Sequence, residues 1–160
     1  MIFKRSAALC ALALAAALTA CTTPPPVQPQ PPVAQRSPEL AAFKAKLRPQ
    51  HVVPPAHGSL ATGELVAVLN RDTGLLRFRI QFEGLSGPVR AAAFHSPAME
   101  GEVAAATLSI GRAFASPYEG RAVLSPRQSA NLLSGQWYVE LRTARYPGGE
   151  LRGQMIEQAP

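Results

Sequence analysis

Leu75-Leu76-Arg77-Phe78-Arg79-Ile80-Gln81-Phe82-Glu83 reads with a period of two. Leu76, Phe78, Ile80 and Phe82 fall on one side, and Arg77, Arg79, Gln81 and Glu83 on the other. Successive side chains of an extended chain point to opposite faces, so the segment predicts a strand with one face in a core and one in water. A slip of one residue would bury two arginines, which sets the register firmly.

Working outward, Asn70-Arg71-Asp72-Thr73-Gly74 supplies residue types that tolerate the positive φ of tight hairpins, so residues 60–69 are expected as the preceding strand. Earlier still, Phe43, Ala45 and Leu47 alternate with Lys44, Lys46 and Arg48, again the pattern of a half-buried strand. An amphipathic helix over residues 39–47 competes for that stretch, and Val53-Pro54-Pro55 breaks pairing after it. In the other direction a turn at residues 84–88 leads to strands expected at 89–95, 103–110 and 121–124. Ser125-Pro126 has the form of an N-cap with proline at the first helical position, predicting a short helix over residues 126–134 closed by Gly135. Residues 137–143 and 150–156 would form a last hairpin across Tyr146-Pro147-Gly148-Gly149. Seven or eight short strands with spaced turns and one helix predict an all-β fold, an antiparallel sandwich or barrel spanning residues 39–160. No repeat at solenoid or propeller spacing is visible.

Residues 1–38 read differently. Lys4-Arg5 and the apolar stretch of residues 6–17 have the form of a signal peptide and are too short for a confident membrane span. Leu18-Thr19-Ala20-Cys21 follows and resembles the lipobox of bacterial lipoproteins. That resemblance implies cleavage after residue 20 and lipidation of Cys21, with Thr22 directing the product to the outer membrane, facing the periplasm. Residues 22–38 are proline-rich, favouring an extended tether of about 3.1 Å per residue and roughly 50 Å in all. The expected organisation is a signal peptide at 1–20, a lipidated cysteine and tether at 21–38, and a β domain at 39–160.

The chain has 160 residues and a formal charge of +6, from 16 basic and 10 acidic side chains. The basic residues stand singly along strands and form no run, so nucleic acid is not an expected partner. Of the two cysteines, Cys10 lies in the signal segment and Cys21 is the lipid site, which leaves no thiol for redox or metal chemistry in the domain.

The final hairpin, Gly135-Gln136-Trp137-Tyr138-Val139-Glu140-Leu141-Arg142-Thr143 and Tyr146-Pro147-Gly148-Gly149-Glu150-Leu151-Arg152-Gly153-Gln154, resembles the C-terminal signature of CHRD domains. Val53-Pro54-Pro55 and Ala61-Thr62-Gly63 are similar to upstream elements of that family, and the resemblance covers about residues 42–155. It implies a β-sandwich, with a topology akin to copper/zinc superoxide dismutases. Family members commonly carry His-x-His in a middle strand and Asn-x-His-Thr in a later one, a set that could bind copper or zinc. Here the first reads Ala93-Phe94-His95, and Glu140 and Arg142 stand where the second has Asn and His. A guanidinium carries no lone pair for a cation, so His95 is left as the one weak metal candidate and no cofactor is expected. His51 and His57 sit in a proline-rich loop at no familiar ligand spacing.

Arg142 is expected to pair with Glu140 or Glu150, replacing metal cross-linking by an ion pair. Glu150 and Arg152, two apart, are expected to form another, and the intervening glycines to serve turns and bulges. Ser96 follows His95 on the opposite side of a strand, and Glu100 and Glu102 flank Gly101 in a loop, so neither makes a catalytic pair. The reading is therefore of a non-enzymatic, lipid-anchored binding or scaffolding module, whose partners would be the membrane and an unidentified envelope protein or the chain itself. The alternatives are a metal-binding or dismutase-like protein with a degenerate site and a self-associating structural lipoprotein. The row Arg77, Arg79 and Gln81 is the candidate contact surface for acidic partners.

Overall fold

The computed structural model describes residues 39–159, and Cys21, the signal segment and the tether lie outside them. Nine strands form two antiparallel sheets. They are β1 (Leu40–Leu47), β2 (Thr62–Asn70), β3 (Leu75–Glu83), β4 (Ala91–His95), β5 (Ala106–Gly111), β6 (Tyr118–Val123), β7 (Tyr138–Arg142), β8 (Leu151–Gln154) and β9 (Ile156–Glu157). One α-helix among the described residues, α1 (Pro126–Leu133), precedes β7, and a 3-10 turn over Pro49–His51 follows β1. The five-stranded sheet has the order β6-β3-β2-β1-β9, and the four-stranded sheet β5-β4-β7-β8. Of the two expected architectures, the sandwich is the one formed; the sheets do not close into a barrel.

β3 matches the segment read from periodicity. Leu76, Phe78 and Ile80 are buried, while Arg77, Arg79 and Gln81 are exposed. Phe82 is only half-buried, because the pattern weakens where the strand leaves the core. β1 is a strand and not the competing helix; Ala41, Phe43, Ala45 and Leu47 line the core opposite Leu65, Ala67 and Leu69 of β2. The sheets meet edge-on-face at Phe78 and Phe94, whose ring centroids lie 5.0 Å apart at 83°. Such a pair adds about 0.5–1.5 kcal/mol beyond the area it buries. Trp137 continues the cluster, 5.7 Å from Phe94.

The cap of α1 forms as read. Ser125 Oγ accepts from Gln128 N, and the Gln128 side chain accepts from Ser125 N, a reciprocal pair that satisfies two otherwise orphaned donors.

Several boundaries differ. Residue 60 is not in β2, and Leu60 is exposed ahead of it. Val103 is likewise exposed and outside β5, which starts at Ala106. β6 begins at Tyr118, three residues before the expected start. The last expected strand is two, β8 and β9, because the chain changes sheet at buried Met155: β8 pairs with β7, and β9 with β1. Backbone bonds Arg48 N to Arg152 O (2.9 Å) and Arg152 N to Arg48 O (3.3 Å) tie the end of β1 to β8. No helix among the described residues is long and apolar enough to cross a membrane.

Candidate functional site

The four-stranded sheet has polar residues buried on the side facing away from the core. In register across β4, β7 and β8 lie Ala93, Glu140 and Arg152, and beside them His95, Tyr138 and Gln154. His95, Glu140 and Arg152 are 4%, 5% and 2% exposed. Over His95 and Arg152 water is kept off by the loop between β4 and β5, whose backbone bonds to both, while Glu140 lies against Arg142 and Gly149 of the β7–β8 turn. The Ala104 carbonyl accepts from His95 Nδ1 (2.9 Å) and from the Tyr138 hydroxyl (3.2 Å), while Ala104 N donates to that hydroxyl (3.2 Å). A carbonyl only accepts, so Nδ1 of His95 carries the proton.

Tyr138 lies on the strand between β4 and β8. The His95 ring stacks on it at 4.7 Å and 4° between planes, and the Arg152 guanidinium lies 3.6 Å from its ring centroid. Arg152 also donates to the Glu102 carbonyl. A planar guanidinium suits this place, because it can stack while its edge donates. The expected Glu150–Arg152 ion pair is therefore absent, and Arg152 binds the π face and a loop carbonyl instead.

Glu150 is fully buried and belongs to a different network. It accepts from Ser59 Oγ (2.9 Å), Ser86 N (2.9 Å), Ser86 Oγ (2.7 Å) and Thr143 Oγ1 (2.6 Å). Burial works to raise its pKa, but the hydrogen bonds from Thr143, Ser86 and Ser59 outweigh it and hold the carboxyl below its ordinary value. One buried carboxylate thus fastens the β2 approach, the β3–β4 turn and the β7–β8 hairpin.

Arg142 pairs with Glu140, one of its two expected partners, through Nε to Oε1 at 2.7 Å. This fits the ion-pair reading of the position where the family pattern has histidine. A metal does not fit the residues present. Ala93 has no donor atom, Arg142 is a cation, and no three His, Cys, Asp or Glu side chains among the described residues are placed to hold one ion. His95 meets a carbonyl and a tyrosine ring, not other ligands.

The glycines of the hairpin divide by role. Gly149 has φ +133, a backbone that side chains rarely adopt, as a turn residue should. Gly153 is instead needed for close approach: a Cβ there would sit 2.5 Å from the Lys46 carbonyl oxygen. The sequence reading missed Tyr138, the Ser59–Ser86–Thr143 set and the covering loop. Polar strand residues gave a signal, but its reading needs the loop that hides them.

On the five-stranded sheet, Arg77, Arg79 and Gln81 are exposed as expected, and Arg79 lies 3.7 Å from Glu119 of β6. Among known proteins, the family model described as the CHRD domain matches residues 43–155. No curated protein and no solved structure was found to match the chain.

Proposed function

The chain is a member of the CHRD domain family, and from that premise we propose that it is a membrane-anchored, non-catalytic binding or scaffolding module of the bacterial envelope. The observation that carries this reading is the internal use of the signature's reactive side chains. His95, Tyr138 and Arg152 are stacked and bonded under a loop, Glu140 is neutralised by Arg142, and Glu150 accepts from three side chains and a backbone amide. Catalysis by acid, base or nucleophile needs a group that can reach substrate, and these are spent on structure.

The anchor rests on the lipobox Leu18-Thr19-Ala20-Cys21, placed after an apolar segment of signal-peptide length. Stable anchoring takes more than one acyl chain, which the lipoprotein pathway supplies. Two measurements test the proposal. Metabolic labelling with an alkyne fatty acid should mark the full-length protein and not the Cys21→Ala form; equal labelling would remove the anchor. Mild cross-linking in cells, followed by capture of the tagged protein, should recover a reproducible envelope partner. Recovery of the chain alone would contradict the binding reading and favour self-assembly.

A further inference from the structure

We propose that the outer face of the five-stranded sheet, at the end where the chain enters β1, docks on the anionic phospholipid surface of a bilayer, with Arg77 and Arg121 receiving lipid phosphates. The proposal deepens the membrane-anchored reading above and rests on it.

Two cross-strand rows define the face. Ala42, Val68, Arg77 and Arg121 form one, and Lys44, Val66, Arg79 and Glu119 the next. Arg77 and Arg121 stand directly opposite each other on β3 and β6. Like charges in that relation repel, and an anion held by both would remove the cost. Neither has a carboxylate partner: the ion pairs among the described residues are Arg71 with Glu39 and Glu157, Arg79 with Glu119, and Arg142 with Glu140. The two arginines flank a groove of about 500 Å³ that Val66 and Val68 also line.

The choice of a lipid surface over a soluble anion comes from the apolar side chains set among the cations. Leu40 is 58% exposed, Val68 41% and Val123 73%, and all three cluster at the same end of the sheet as the arginine pair. Guanidinium groups pair with phosphate oxygens in bidentate fashion, while short apolar side chains beside them can enter the headgroup region. The carboxylates Glu64 and Glu83 lie at the far end, beside the start of β2 and the end of β3. Of the two acidic residues at the near end, Glu39 is paired with Arg71, and Asp72 lies in the β2–β3 turn beside the Glu39 backbone. The tether also joins at the near end, through Glu39 and Leu40. An anchor only residues 22–39 away would hold this end at high effective concentration over the bilayer.

The test uses the chain from Thr22 onward, without acyl groups, which keeps every core residue from Ala41 to Met155. It is co-sedimented with phosphatidylcholine vesicles with and without phosphatidylglycerol. Binding is expected only with phosphatidylglycerol, and it should weaken as salt rises from about 0.1 to about 0.5 M. Arg77→Gln with Arg121→Gln should lower the apparent affinity roughly thirtyfold. Arg90→Gln with Arg145→Gln, which removes two exposed cations outside this face, should change it little. Failure to bind phosphatidylglycerol vesicles would overturn the proposal, as would equal loss in both double variants. Binding of inorganic phosphate without binding of vesicles would also overturn it, in favour of a soluble anion. None of these outcomes depends on Cys21 acylation or on partner capture, so failure here leaves the anchor and the module to be judged by their own tests.

Discussion

The two sheets treat polar residues in opposite ways. In the five-stranded sheet the alternation is plain: Leu76, Phe78 and Ile80 face the core while Arg77, Arg79 and Gln81 meet water. In β7 of the four-stranded sheet, Tyr138, Val139, Glu140 and Leu141 are all buried, although the sequence alternates there too. The first sheet has one covered face. The second has a core on one side and the β4–β5 loop on the other, so its polar side chains had to find partners within the protein. A polar position in a strand therefore marks either solvent or an internal network, and what lies above the sheet decides which.

This contrast is sharpest where backbone packs on backbone. Gly153→Ala would place a Cβ 2.5 Å from the Lys46 carbonyl oxygen, and no side chain can move aside to relieve it. We expect a loss of about 3 kcal/mol in urea unfolding, or failure to fold. A near-neutral result would mean that β1 and β8 can part without cost.

Glu150→Ala comes next, because it strands the donors of Ser59, Ser86 and Thr143 together. The expected loss is about 2 kcal/mol in the same measurement. The carboxyl's pKa is lowered in the folded protein, so its contribution is full above the unfolded value of about 4.3 and is lost as pH falls through the lower native value. Glu150→Gln should remove that part of the acid-limb slope. An unchanged slope would show that the carboxylate is not the ionised hub described here.

Arg142→Ala is expected to cost about 1 kcal/mol, a modest figure because the guanidinium is 42% exposed while its partner Glu140 is buried. No change would count against the ion pair as replacement for a ligand position. Smallest of all, Arg77→Gln on the open sheet should alter stability by less than about 0.5 kcal/mol. A larger loss would mean that the open face carries structural load and would blunt the contrast.

Much of this was legible in the sequence, for reasons that follow from the same contrast. β3 could be read whole because one face is wet, which makes hydrophobicity and orientation the same signal. The capping box at Ser125 and the Asn70–Gly74 turn were legible because their chemistry is local. The division of residues 150–156 into β8 and β9 was not, since the switch at Met155 is set by two different partners, β7 and β1. In the site, the pairing of Arg142 with Glu140 was within reach because neighbouring positions on one face of a strand meet. The stacking of Arg152 on Tyr138 was not, and Glu150 with Arg152 looked like a pair. Their separation depends on Ser59 and Ser86, far away in the chain, and on a loop with no periodicity of its own.

The central claim is that the signature of this chain holds the fold together and does not hold an ion. Thermal unfolding of the purified domain with added copper, with added zinc and with a chelator tests it most directly. A ligand that binds the native state raises its melting temperature in proportion to the logarithm of its concentration over Kd. The account predicts superimposable curves under all three conditions. A metal-dependent rise of several degrees that disappears in His95→Ala would contradict it.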